Sequence, residues 1–331
     1  MIKLTQGLRD YFRTHGEPKA KQYHPPVFLT GCMRSGTTFL ADKLASHPQL
    51  LKIGVEMNDV WTDIGGAAIS GTCEYRNASH VTTEYTFQMT SYIQDFINES
   101  KSLKRAAMRS YLKFFHGLGR AEYDWNNLKP LNKSPHLMNK LSYVGGLFPS
   151  SILILIVRDI YSHSASMKYH FEKLHAFDGR SYFLEESPNS CYGRTFQNQN
   201  RERTFPGDFS IIPEMWMRMN ELALKELDNA PFAKKIVISY EDLVRNQKGI
   251  LLSLFKALDL EEMHHDEALK IASQGTVLVN TTTKGNPLTK WKDQLSNHEK
   301  SAIDKVLLDR ESSYRFINES LEKNKIRPMA K

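Results

Sequence analysis

Val27-Phe28-Leu29-Thr30-Gly31-Cys32-Met33-Arg34-Ser35-Gly36-Thr37-Thr38 is a short apolar run, a turn with a glycine at each end, and the opening of a helix. Pro25-Pro26 precedes the run, whose brevity and lack of alternation suit a parallel strand buried on both faces. Gly31 to Gly36 reads as the turn and Thr37 to Ser46 as the helix, with Leu40 and Leu44 one turn apart and His47-Pro48 as the stop. A strand that enters a helix through such a turn aims backbone N–H groups and the positive end of the helix dipole at one point, where an anion can sit. The Gly-x-x-x-x-Gly spacing is that of a nucleotide phosphate loop, in which the next residue is a lysine that reaches the β- and γ-phosphates. Here that residue is Thr37, and Arg34 supplies positive charge from within the turn.

The exchange alters which ligand the loop serves. A terminal phosphoryl carries about two negative charges at neutral pH, and its transfer relies on the lysine and Mg²⁺. A terminal sulfuryl carries one, and a hydroxyl-rich loop with one arginine can hold it without metal.

The same strand-then-helix pattern recurs outward from this stretch. Leu50 to Val55 is a second apolar stretch and leads to Glu56. Ser151 to Val157 is the clearest strand, followed by Arg158-Asp159 and a helix to about 173. Lys235 to Tyr240 reads as another buried strand and Gly249 to Leu258 as the helix after it, with Glu214 to Asp228 a further helix. Such alternation predicts an α/β fold: a P-loop-like parallel sheet flanked by helices, with helical and loop insertions. Residues 57–130 are mixed aromatic and polar, with helices near 88–98 and 102–117, and read as an insertion. Residues 175–212, rich in Gly, Pro, Asn and Arg, read as a long loop or flap. Residues 1–24 form a polar N-terminal arm, which leaves 25–331 as a single domain carrying both insertions.

Composition narrows the class. With 40% hydrophobic and 11% aromatic residues in 331, the chain has material for a real core, which excludes whole-chain disorder. Its net charge of +7 is compatible with an anionic ligand, but the basic residues are spread out, so no nucleic-acid partner is expected. The longest aliphatic run, Ile152 to Val157, is far short of a membrane span. Cys32, Cys73 and Cys191 are odd in number and far apart in sequence, so they show neither metal-ligand spacing nor a disulfide framework. They fit a reducing compartment, and the N-terminus lacks an apolar core and cleavage signal, so a cytoplasmic protein is expected.

Two strings carry a resemblance. Pro26 to Leu40 resembles the 5′-phosphosulfate loop of sulfotransferases that use 3′-phosphoadenosine-5′-phosphosulfate (PAPS). Ile154-Leu-Ile-Val-Arg-Asp-Ile-Tyr-Ser-His-Ser-Ala-Ser166 resembles their 3′-phosphate motif, in which an arginine and a serine eight positions later bracket that phosphate. Leu131-Asn-Lys-Ser-Pro135 and Leu147-Phe-Pro149 are similar to the tyrosylprotein-sulfotransferase branch and its bacterial relatives. Val237 to Val244, and Lys284-Gly285 with Leu288-Thr-Lys-Trp-Lys292, look like the family's late strand and nucleotide-closing segment. The resemblance implies PAPS as donor and no metal. Arg34, Ser35, Gly36, Thr37 and Thr38 would hold the 5′-phosphosulfate, and Arg158 and Ser166 the 3′-phosphate, with Tyr240, Lys284 and Gly285 assisting.

The same resemblance points to the chemistry. Glu56, at the end of the second apolar stretch, is implied as the general base that deprotonates an acceptor hydroxyl. Lys133 is implied as the cation on the bridging oxygen, with Arg34 sharing the charge stabilisation. His136 competes with Glu56, because cytosolic relatives take a histidine base from this region, but here it is shifted by one position. The acceptor class, whether sugar, peptide tyrosine or small-molecule alcohol, stays open. Two other functions compete: a P-loop kinase, with Asp159 after a strand as a metal ligand, and a catalytically silent nucleotide-binding protein.

Overall fold

A run of six apolar residues, Ile152–Val157, is stable as a strand only where both of its faces are covered. The computed structural model, which describes residues 24–67, 73–116, 122–196, 203–274 and 285–329, covers both. Ile152, Ile154 and Ile156 enter one core with Leu29, Leu40, Leu44, Ile238 and Phe255. Leu153, Leu155 and Val157 enter the other with Phe28, Trp61, Phe148, Phe171 and Trp216.

Among the described residues the chain runs β1 (Val27–Thr30), α1 (Thr37–Leu44), β2 (Leu50–Lys52), α2 (Asn58–Asp63), α3 (Thr83–Ser100), α4 (Leu103–His116) and β3 (Lys129–Lys133). Then come α5 (Leu141–Leu147), β4 (Ile152–Val157), α6 (Ile160–Asp178), β5 (Arg180–Phe183), β6 (Gly193–Phe196), α7 (Ile211–Leu227) and β7 (Lys234–Ser239). Last are α8 (Tyr240–Arg245), α9 (Gln247–Ala257), α10 (His265–Ser273), α11 (Trp291–Gln294), α12 (Asn297–Asp309) and α13 (Glu311–Asn324). Five strands form one sheet in the order β2-β3-β1-β4-β7. Every neighbouring pair is parallel. The expected α/β fold, a parallel sheet flanked by helices, is therefore present.

Several elements differ from the sequence expectation. β3 was not expected as a strand: Lys129-Pro-Leu-Asn-Lys shows one aliphatic residue, and Pro130 removes a ladder donor. It lies inside the sheet because its polar side chains are paired there, Asn132 accepting from Trp61 Nε1 (3.1 Å) and Lys133 meeting Glu56 (2.6 Å). The 175–212 stretch is not simply a loop. α6 continues to Asp178 and ends on Gly179 in the left-handed conformation, after which β5 and β6 pair antiparallel from Arg180↔Phe196 to Phe183↔Gly193. α12 and α13 pack along α6, α7 and β7, where no helix was read.

The chain leaves β1 toward β2 on one side and reaches β4 on the other, so β1 marks where the strand order reverses. Ligands of open α/β sheets bind at the carboxyl ends of the strands at such a point. His24 begins the described chain, so the N-terminal arm otherwise lies outside the described residues.

Candidate active site

Five parallel strands each deliver something to the same end of the sheet. β1 runs into the loop Gly31–Gly36, β2 toward Glu56, β3 ends on Lys133, β4 is followed by Arg158, and β7 by Tyr240. The loop turns sharply. Arg34 (φ 71°) and Gly36 (φ 93°) both take left-handed backbone, and no side chain caps α1, so its first N–H groups face the loop. Close packing demands both glycines. A Cβ on Gly31 would lie 2.4 Å from the Ile156 carbonyl, and one on Gly36 2.6 Å from the Tyr240 ring.

Arg158 ties the loop to its surroundings. Its Nη1 donates to the Arg34 carbonyl (2.8 Å), its Nη2 to the Pro287 carbonyl (3.4 Å), and its guanidinium lies 4.4 Å from the centre of the Tyr240 ring. Trp216 Nε1 fixes the Arg158 carbonyl (2.9 Å) from α7. Ser166, on α6, accepts from Arg34 Nε (3.4 Å). The two arginine–serine positions of the second string thus meet through Arg34 rather than through one another. His163 holds the loop from beneath: its Nε2 lies 3.0 Å from the Met33 carbonyl, which can only accept, so Nε2 carries the proton. Burial, followed by Arg158, pushes this imidazole down to about 3, so it is neutral at ordinary pH.

Positive charge gathers here. Burial lowers Arg34 below its usual range, and the neighbouring Arg158 lowers it further. Lys290 is lowered by burial, then by Arg158 and Arg34, which places a third cation at the same end. Ser35 Oγ and Arg158 Nε are buried and have no hydrogen-bond partner among the described residues. Clustered cations, an uncapped helix start and buried donors without acceptors are what an anionic group with several oxygens would satisfy. The residues therefore fit a phosphate- or sulfate-bearing ligand.

One strand over, Lys133 is almost fully buried (2%) and its Nζ meets Glu56 Oε1 at 2.6 Å. Asn58 Nδ2 donates to Glu56 Oε2 (3.1 Å), and its own Oδ1 accepts from Ser134 (3.2 Å). Burial pushes Glu56 up, but Lys133, Asn58 and His136 outweigh it, and the carboxyl sits below its ordinary value. His170, one turn beyond Ser166 on α6, is held down to about 4 by burial and then by Arg34.

Thr37 is buried in the loop and Thr38 half-buried beside it. Gly285 has φ 111° and its position faces Lys290, whereas Lys284 lies outside the described residues. Asp159 accepts from the Ser162 N–H at the start of α6 (2.9 Å), so it acts as a helix cap. Sequence reasoning missed Asn58, His163, His170 and Lys290 as site residues. The 288–292 segment carried a signal for Lys290, while a histidine inside a helix carries none. Trp61 lies in the core, packed edge-on to Phe28. Among the described residues one trio within reach of a shared metal ion exists, Asp124, Glu261 and His264. It lies at the opposite end of the sheet, where Asp124 already accepts from Gln49 just before β2.

The strand ends bring arginines, a carboxylate–lysine pair and an open helix N-terminus to one end of an α/β sheet. The model of the sulfotransferase family matches residues 25–265, and the chain belongs to that family. No curated protein matches the chain. Among solved structures it is similar to the sulfotransferase domain of the Synechococcus PCC 7002 olefin synthase, with 16% identity, 88% of this chain and 97% of that one covered, and a TM-score of 0.42. A mouse sulfotransferase, SULT7A1, complexed with PAP, is 12% identical over 96% of this chain and 93% of that one, with a TM-score of 0.42. Sulfotransferase STF1 of Mycobacterium tuberculosis is 14% identical over 88% and 80%, at 0.41. No described helix is long and apolar enough to cross a membrane.

Proposed function

We propose that this chain transfers a sulfuryl group from PAPS to an acceptor hydroxyl by in-line displacement without metal. The observation that carries the reading is the hydrogen bond of Arg158 to the Arg34 carbonyl, in a loop whose Ser35 Oγ is buried and unsatisfied, at the sheet end that also holds the Glu56–Lys133 pair. PAPS supplies the sulfuryl group. The loop amides with Ser35, Gly36, Thr37 and Thr38 hold its 5′ end, while Arg158 and Ser166 hold the 3′-phosphate. Tyr240 keeps the Arg158 guanidinium in place, and Lys284-Gly285 and Lys290 close the nucleotide side. Glu56 takes the acceptor proton, and Lys133, drawn from the carboxylate it now contacts, meets charge that develops on the leaving oxygen. The acceptor is a sugar, tyrosine or small-molecule hydroxyl. The three free thiols suit a cytoplasmic setting. Asp159 is already engaged as a helix cap, which weighs against the kinase reading.

Calorimetric titration with 3′-phosphoadenosine-5′-phosphate in metal-free buffer tests the donor site, beside ATP with Mg²⁺. Micromolar binding of the bisphosphate, weak ATP binding and loss of both signals in Arg158→Ala are expected. Tight ATP binding with none for the bisphosphate would overturn the proposal.

A further inference from the structure

Cys73 and Cys191 are remote in sequence but adjacent in space, with Sγ atoms 2.9 Å apart while both are free thiols. Their segments are joined without the sulfurs. The Cys191 N–H donates to the Cys73 carbonyl (3.3 Å), and Asn139 Nδ2 bridges the Cys73 and Asn189 carbonyls, 2.9 Å from each. Backbones that already share a hydrogen bond bring the two residues to the approach a disulfide needs.

The second observation is a buried charge. Lys140 is fully buried, and its Nζ contacts Asn139 Oδ1 (2.8 Å), Cys73 Sγ (3.3 Å) and the His136 carbonyl (3.4 Å). None of these partners is a carboxylate. A buried ammonium without a counter-charge is costly, and a Cys73 thiolate is the group that supplies one. The hydrogen bond from Cys191 lowers the Cys73 thiol, with Lys140 acting in the same direction against burial, while the same hydrogen bond and burial raise Cys191. Cys73 is thus the sulfur whose thiolate is favoured, and Cys191 the one whose thiol is favoured. An ammonium 3.3 Å from Cys73 also makes this a poor place for a metal cation.

The third is the surroundings of the partner sulfur. Cys191, on the side away from Cys73, lines a cavity of about 20 Å³ together with Cys32, Met33, His136 and Tyr192, large enough for a molecule the size of water.

We infer that Cys73 and Cys191 are a redox-active dithiol, oxidised to a disulfide by a peroxide. The Cys73 thiolate attacks one peroxide oxygen; the S–O bond forms, the O–O bond breaks, and hydroxide leaves and is protonated to water. Cys191 then attacks the sulfenic sulfur of Cys73; the S–S bond forms, the S–O bond breaks, and the hydroxide released takes the Cys191 proton as a second water. Two electrons from the two thiols reduce one peroxide to two waters.

The test treats the full chain with one equivalent of hydrogen peroxide and maps its peptides by mass spectrometry without reduction. A Cys73–Cys191 cross-linked peptide that dithiothreitol cleaves is expected, with Cys32 left as a thiol. Lys140→Met slows cross-linking about tenfold or more. The wild-type chain provides a check that needs no variant. Its rate falls less between about pH 8 and about pH 6 than that of a thiol of ordinary pKa, ~8.5, which slows by roughly two orders of magnitude. Oxidation confined to Cys32, over-oxidised Cys73 without a cross-link, or the pH profile of an ordinary thiol would overturn the assignment. The mapping requires no turnover, so its outcome is independent of the donor reading.

Discussion

Glu56 is pulled in two directions, and the balance decides what it can do. Burial favours its neutral form, whereas Lys133 at 2.6 Å and the Asn58 amide favour the carboxylate, and the carboxylate side wins. A depressed carboxyl stays ionised as pH falls to below the ordinary value of ~4.3. Its base form is therefore present throughout the neutral range and is lost only as pH falls through that depressed value. Once an acceptor is found, kcat/KM is expected to stay level from about pH 5 to 8 on the acid side. Glu56→Gln should lower kcat by roughly 10² to 10⁴ while leaving bisphosphate binding unchanged, since Glu56 faces Lys133 and Asn58 rather than the loop. Steady-state kinetics across pH, with calorimetry on the variant, check both statements. An active Glu56→Gln variant would move the base role to a histidine, His136 first.

At the scale of elements, legibility follows polarity. β1, β2, β4 and β7 were readable because each carries adjacent aliphatic residues, and the roles of Glu56, Arg158 and Tyr240 just past them were implied by the family resemblance. β3 hid because its buried Asn132 and Lys133 are balanced by Trp61 and Glu56, partners that lie 71 and 77 positions away. Lys133 was reached through the family resemblance. His163 was not, since its role depends on α6 crossing under Met33, a contact spanning 130 positions. The cysteines show the same limit: a spacing of 118 positions looks unconnected until the fold brings Cys73 to Cys191. The loop packs closely against the start of α8, and this contact yields a prediction. Gly36→Ala places a methyl where the Tyr240 ring lies at 2.6 Å, on left-handed backbone. Tyr240 must move and release Arg158, so the bisphosphate Kd is expected to rise tenfold or more by calorimetry. Gly179→Ala is the control. It has the same backbone handedness (φ 73°) but open space around it, so it costs about 1 kcal/mol of strain and leaves binding intact. Equal effects of the two variants would mean that backbone strain, rather than the Tyr240–Arg158 stack, governs the loop.

Over the whole molecule, a net charge of +7 is small for 331 residues, so its placement matters more than its size. Arg34, Arg158 and Lys290 repel one another at the carboxyl end of the sheet, where the start of α1 adds its own positive pole. The described trio that could share a metal ion, Asp124, Glu261 and His264, sits at the far end. A site that meets anionic charge with fixed cations alone should depend on salt and be indifferent to chelators, whereas a triphosphate site built around Mg²⁺ depends on both. Raising sodium chloride from about 0.05 to about 0.5 M is therefore expected to weaken bisphosphate binding several-fold, as the Debye length contracts from ~13 Å to ~4 Å. Buried charges are screened less than exposed ones, so binding should weaken without vanishing. EDTA should change neither that binding nor turnover with an identified acceptor. A bisphosphate affinity that collapses on chelation and returns with Mg²⁺ would mean that the arginines do not meet the ligand's charge by themselves, and would reassign the loop to phosphoryl transfer.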